Sequence, residues 1–422
     1  MNERISFFIS RLRERLWVKP LISCLLSISA AFIASAGDYY YPQAEVMSVS
    51  NDSLETLLTI ISASMLVMAV FAVGSMLSAY SSVSSMATPR AFAIVVTDDV
   101  SQYALSIFIG AFIFSVIGLV ALMNNFYQET GRFVLFLQII AVFIIVILGF
   151  VRWVDNIARL GTLSNTIAKV EMVAESALAR NAQHPRMGGA KQLAKKSGYP
   201  IYTDRIGYLQ RIDMSKLQAI AEQFELTINV SAMVGRLVLP NVPLVHLVSS
   251  DSNSKKDTTT EQIINAFIID DKRTFDEDPR FSLVVLSEIA SRALSPAVND
   301  PGTAIDIIGT LTRLLFNWAT ATDAQQEPEV LFDRVTIPEI FLGDIFDDAF
   351  NAIARDGAGS IEVMLRLVKV YQSLATVNND FKVCASRHTH IALSHAEQQL
   401  CLAEELDLLK RKANSDLNTS VQ

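Results

Sequence analysis

The sequence predicts a membrane α-helical region of four transmembrane helices followed by an α+β cytoplasmic domain, and three observations carry that expectation. The 422-residue chain is 51% hydrophobic with a mean hydropathy of +0.34, high for a soluble protein. Nearly all of that excess falls in four windows before residue 155, none with a charge in its interior. Beyond Gly198 the apolar spacing changes from helical to the alternation of strands.

The windows are residues 21–36, 56–79, 103–123 and 133–151. Each approaches the roughly 17–25 residues that a helix needs to cross a hydrocarbon layer, the serine-rich first being the marginal one. A cleaved signal peptide is the rival reading of that first window, since Ala34-Ser35-Ala36 resembles a cleavage site. The length of the leader before it weighs against cleavage. That leader carries Arg4, Arg11, Arg13, Arg15 and Lys19, whereas residues 37–55 hold Asp38, Glu45, Asp52 and Glu55 and no Lys or Arg. Basic flanks stay in the cytoplasm, so both termini are expected inside and the acidic loop outside; Arg152, Arg159 and Lys169 after the last span agree. Cys24, Cys384 and Cys401 form no disulfide framework, as in a reducing compartment.

In the second span Ser75, Ser78, Ser82 and Ser85 recur at spacings of three and four, on one helical face. With Gly74 they form either a helix-packing surface of small residues or the polar lining of a water-filled path. Thr88-Pro89-Arg90 follows; Pro89 is expected to break the helix, and Arg90 to pair with Asp98, Asp99 or a lipid phosphate. After span four, Leu160, Leu163, Ile167, Val170, Ala174 and Ala177 make a coiled-coil seam of almost three heptads on a stalk expected to run on from the membrane. The seam favours a homo-oligomer, with packing on the soluble domain as its alternative.

The expected order is a cytoplasmic leader (1–20), a four-helix membrane domain (21–155), a helical stalk and linker (156–198), a small β-rich module (199–249), a helical cytoplasmic domain (250–412) and a flexible tail (413–422). His184-Pro185 and Gly188-Gly189 mark the linker. In the module, GYLQRID reads as a strand ending at Asp213, a cap for the helix 215–224; LTINVSAM and LVHLV are further strands. Gly235 and Asn241 suit left-handed backbone in the turn between them, which resembles that of lipoyl-type modules without an attachment lysine.

ALSPAVNDPGTAIDI, residues 293–307, reads as a corner between two helices. Leu286, Ile289, Ala290 and Ala293 share one face of the first, which Ser295-Pro296 ends. Asn299 and Asp300 suit a turn, with Asp300 capping a second helix at Pro301. The alternative is a contact for an anion or a neighbouring subunit: the new helix amides, with Arg273, Arg280, Arg292, Asn299, Asp300 and Thr303, would receive a phosphate-bearing ligand or an acidic surface. Catalysis is not expected, because no His lies near Ser295 in sequence.

The stretch RTFDEDPRFSLVVLSEIASRALSPAVNDPGTA, residues 273–304, resembles the domain of unknown function 2254 family, whose pattern runs RT, acidic DP and F, ALSP, NDP and TA. TPR at 88–90, the strand GYLQRID and VPL at 242–244 match more weakly, and the resemblance covers residues from about 5 to 372. It implies a bacterial inner-membrane protein with a multi-span N-terminal half and a cytoplasmic C-terminal half, and no reaction. Departures are Arg152-Trp153 where the family more often has a His pair, Asn241 for glycine, Glu277 for Gln and Glu288 for Asp. Losing the His pair removes the ground for a metal or proton role there.

Cys384, His388 and His395 share a helical face, with His390 and Cys401 near, but their spacing suits an ordinary helix better than a metal site. No GxxxxGK, HExxH or paired-cysteine motif occurs, no cofactor is expected, and the net charge of −8 argues against nucleic acid. The function expected is an oligomeric ion-permeable channel with a cytoplasmic regulatory domain, its partners being the bilayer, other copies of the chain, and ions or a small anionic ligand. The alternatives are a non-conducting sensor or scaffold and, weakest, a membrane enzyme.

Overall fold

The computed structural model describes residues 17–40, 46–96, 99–191, 198–249, 256–324 and 329–415. The chain divides into two compact units, residues 1–166 and 167–422. The leader arginines, Asp98, the side chain of Asp99, and the tail beyond residue 415 lie outside the described residues, so the expected pairing of Arg90 with Asp98 or Asp99 does too.

In the first unit α1 (Val18–Tyr40), α2 (Asn51–Met86), α4 (Asp99–Met123) and α5 (Glu129–Leu160) are each long and apolar enough to cross a membrane. They contain the four windows, and α4 sits at the centre, packed by α1, α2 and α5. With 36 residues α2 is about 54 Å long at 1.5 Å per residue, so it projects beyond a hydrocarbon layer of roughly 30 Å. It ends at Ala87 as Pro89 requires, and Thr88 Oγ1 accepts from the Ala91 amide to start the short α3 (Pro89–Val96).

Polar groups in a bilayer must find partners inside the protein. The Ser27 hydroxyl donates to the Gly110 carbonyl, 2.8 Å away, and a Cβ on Gly110 would stand 2.1 Å from Ser23 Oγ, so α1 and α4 approach closely at this glycine. Asp38, at the end of α1, accepts from the amides of Gln128 (2.8 Å) and Gly131 (2.6 Å) and thereby caps α5. Gln138 donates from α5 to the Ala30 carbonyl. Trp153 is buried among Phe71, Phe108 and Phe150.

The stalk differs from expectation in two ways. First, α5 stops at Leu160, and Gly161 and Thr162 separate it from α6 (Leu163–Gln183), whose first turn Thr162 caps through the Asn165 amide. Second, Val170, Ala174 and Ala177 of the seam are buried within a single chain. The same helix is tied inside its own unit: Glu171 accepts from Arg313 Nε at 2.9 Å and Asn181 from Trp318 Nε1 at 3.1 Å. A seam already covered gives no reason for a second copy, so the sequence argument for self-association through the stalk falls.

The strands are β1 (Gly189–Lys191), β2 (Tyr199–Ile201), β3 (Gly207–Ile212), β4 (Leu226–Val230), β5 (Leu237–Val238), β6 (Val245–Ser249), β7 (Phe267–Asp270) and β8 (Phe332–Ile337). They form a five-stranded sheet in the order β1-β8-β4-β6-β2 and a three-stranded sheet β5-β3-β7. The module therefore extends beyond residues 199–249: β1 comes from the expected linker, and β7 and β8 from the expected helical domain. β8 lies parallel between β1 and β4, with Ile228 opposite Val335. Such a pairing joins segments too far apart for local periodicity to reveal. Asp213 caps α7 (Met214–Gln223) through the Lys216 amide at 3.0 Å, and Leu217, Ile220, Ile228, Val245, Phe267 and Val335 fill the core between. In the turn after β4, Gly235 alone of the two expected positions is left-handed, with φ +86°.

After α8 (Lys256–Ile264) and β7, the rest is helical: α9 (Pro279–Ala293), α10 (Pro301–Ala324), α11 (Leu342–Asp356), α12 (Ile361–Ala375), α13 (Asn379–Gln399) and α14 (Ala403–Ser415). α9 packs on α10 and α11, and α12 on α13.

Gly110→Leu is expected to force α1 from α4 and to destabilise the first unit by about 1–3 kcal/mol. Thermal unfolding of the full chain in detergent checks this; an unchanged transition would mean that the crossing tolerates a side chain.

Candidate functional site

α9 starts at Pro279 because Asp278 precedes it. Asp278 Oδ1 accepts from the amides of Arg280 and Phe281, both at 3.2 Å, and proline suits a first helical position where no amide is needed. The carboxylate is 1% exposed, and its second oxygen accepts from Arg273 Nε at 2.7 Å. The Arg273 guanidinium also lies 4.9 Å over the Phe281 ring, which packs against Phe275. From the β4–β5 turn Gly235 presses on the same group, where a Cβ would stand 2.1 Å from Asp278 Oδ2.

Arg280 points the other way, to α11. Its Nε donates to Asp348 (2.6 Å) and its Nη1 to Asp344 (2.7 Å), carboxylates four residues apart on one helical face. Burial opposes the charge on Arg280, but the bond to Asp348 and the nearby carboxylates outweigh it and hold the guanidinium above its ordinary range. Burial also pushes the Asp348 carboxyl up, against the pull of Arg280. At the far end of α9 the Ser291 hydroxyl donates to Asp356, which Arg355 also grips at 2.7 Å. Glu277 pairs with Arg211 of β3 at 3.1 Å.

The corner closes on itself. The amides of Val298 and Asn299 donate to the Ser295 carbonyl, and that of Asp300 to the Ala293 carbonyl at 2.8 Å. Asn299 makes the turn with a left-handed backbone, φ +50°. Asp300 then accepts from the Thr303 amide at 3.0 Å and from its hydroxyl at 2.6 Å, bonds that hold its carboxyl below the usual range. Arg292 is exposed in the last turn of α9, where a cation suits the helix dipole. Of the residues assembled as an anion contact, Arg273 and Arg280 thus meet carboxylates of their own chain. The carboxylate of Asp300 takes the Thr303 amide of the α10 start, where an outside anion would bind.

The serines belong to the first unit. Ser75 donates to the Phe71 carbonyl and Ser85 to that of Ser82, both in their own helix, while Ser82 reaches the Gly161 carbonyl at 3.1 Å. Ser78 is exposed, and nothing described lies within 4 Å of where a Cβ on Gly74 would stand. The buried face of α2 holds Met65, Ala69, Ala72, Met76, Ala79 and Val83; Ser75 and Ser82 are half-buried at its edge, and Gly74, Ser78 and Ser85 are exposed.

Sequence reasoning missed Asp344, Asp347 and Asp348, although the i, i+4 spacing of Asp344 and Asp348 in an amphipathic helix was a signal. It also missed the contact of Ser231 Oγ, in the segment just after β4, with His246 Nδ1 of β6 at 2.9 Å. Among the described residues no three His, Cys, Asp or Glu side chains converge as metal ligands would, and His388 has both ring nitrogens engaged.

A protein-family model described as "Predicted membrane protein (DUF2254)" matches residues 13–373. Two uncharacterized proteins, one of Mycobacterium bovis and one of Mycobacterium tuberculosis, are each 26% identical over 215 residues. The match covers 49% of this chain and 41% of each relative, so it spans about two fifths of the length of these curated proteins. No solved structure matches.

Asp300→Ala should cost about 1 kcal/mol near neutral pH through loss of the cap. Because the carboxyl is held below its unfolded value, that contribution is present above about pH 4 and fades as acid protonates the folded form. Thermal unfolding of both proteins at about pH 7 and about pH 3 should show the gap narrowing in acid.

Proposed function

The chain belongs to this family of predicted membrane proteins, and from that premise we propose that it is a homo-oligomeric, ion-permeable channel of the bacterial inner membrane whose second unit is a cytoplasmic regulatory domain. Both termini are then cytoplasmic, as the placement of the Lys and Arg residues indicates. One observation carries the reading: Gly74 and Ser78 are uncovered in a single chain although Ala72, Met76 and Ala79 beside them are buried. A small and polar stripe turned from its own bundle fits an axis shared by several copies, where hydroxyls and water face one another. The seam on α6 takes no part, so assembly rests on α2.

A second reading has its own support. The hydroxyls of Ser75 and Ser85 are satisfied by carbonyls of their own helix, which suits a dry contact between copies of a non-conducting sensor or scaffold. No reaction is proposed: the Arg280, Asp344 and Asp348 side chains pair with one another, and Asp278 holds Arg273 and a helix start.

Reconstitution of the full chain in liposomes separates these readings. The channel predicts ion flux above that of empty liposomes, reduced about tenfold or more by Ser78→Leu while the oligomer persists. Loss of the oligomer in that variant, with no flux from the parent protein in any salt, supports the scaffold and overturns the channel.

A further inference from the structure

His388 lies on α13 with 1% of its side chain exposed, against Phe346 of α11 (ring centroids 5.2 Å) and Tyr371 of α12 (6.0 Å). Its Nδ1 stands 2.8 Å from the Cys384 carbonyl oxygen, one turn back on the same helix, and its Nε2 3.0 Å from Asp347 Oδ1 on α11. A backbone carbonyl can only accept a hydrogen bond, and so can a carboxylate. The Asn351 amide also donates to Asp347 at 2.9 Å, and the Arg387 guanidinium is 3.3 Å away. A neutral imidazole has one N–H and one lone pair, so one of these two contacts would set lone pair against lone pair in a buried place. Turning the ring over would relieve that clash only by setting C–H groups against both oxygens and giving up both hydrogen bonds.

We propose that His388 is held as the imidazolium and clamps α13 to α11, a proton-dependent fastening inside the second unit that loosens as pH rises. The charged and titratable groups that face it from the three helices around it are few. Asp347, from α11, is the partner. Tyr371, from α12, is a phenol that burial pushes up and keeps neutral. On α13, burial pushes the Cys384 thiol up as well, and Arg387 competes for Asp347. Neither the phenol nor the thiol changes charge where an imidazole does, so His388 is the group that switches. Losing one ring proton strands either the Cys384 carbonyl or the Asp347 carboxylate. The fastening is therefore complete while both ring nitrogens carry protons and is broken when one of those protons is lost. Neither the channel nor the scaffold reading is needed for it.

The test uses full-length protein in nanodiscs with 15N-labelled histidine, of which the chain has five. The His388 signal is assigned by its loss in His388→Gln. At about pH 6 both ring nitrogens should carry protons, and on alkalinisation one should lose its proton while α13 amide exchange, corrected for intrinsic rate, rises about tenfold in the parent but not in His388→Gln. In Asp347→Asn, which keeps an acceptor oxygen but no charge, the conversion should move to lower pH. A ring with a single N–H at about pH 6 overturns the proposal, as does an unmoved conversion in Asp347→Asn or the same exchange change in His388→Gln.

Discussion

The second unit depends on one buried carboxylate. Asp278 cannot be solvated, so every lone pair it keeps from water must be met by the protein. The Arg280 and Phe281 amides, the Arg273 guanidinium and the bare Cα of Gly235 meet it from three separate segments. One charge therefore sets where α9 begins, how the loop before it lies and how closely the β4–β5 turn approaches. Arg280, placed by that start, reaches Asp344 and Asp348, so the register of α9 on α11 follows from the same cap.

The membrane unit obeys a different constraint. Its helices are spaced by glycine and serine at close approaches such as Gly110 with Ser27, and its chain ends are tied by caps such as Asp38 on α5. Each device serves the rule that hydrocarbon offers no partner to a backbone group. The stripe of Gly74 and Ser78 departs from that economy, because small and polar residues turned outward gain nothing from lipid tails.

Much of this was legible in the sequence, where the controlling physics is local. Bilayer thickness and polarity set the four spans, and the residues beside Pro89, Asp213 and Asp300 carried enough chemistry to place helix ends. Partners far along the chain were not legible. Arg280 and Asp348 are 68 residues apart, and read without that partner the charge of Arg280 suggested a site for an outside anion. β8 joins its sheet in parallel between strands from two distant segments, which no period of two or 3.6 announces. The seam through Val170, Ala174 and Ala177 was expected to meet another copy and is covered within one chain, because periodicity does not say where a stripe finds its cover.

The central claim is that Asp278 organises the second unit, and unfolding of full-length Asp278→Ala in detergent tests it most directly. Removing a buried charge that holds an arginine and a helix start should cost about 3–5 kcal/mol and free the α9 amides to exchange. A variant within about 0.5 kcal/mol of the parent protein, with α9 equally protected, would contradict the account.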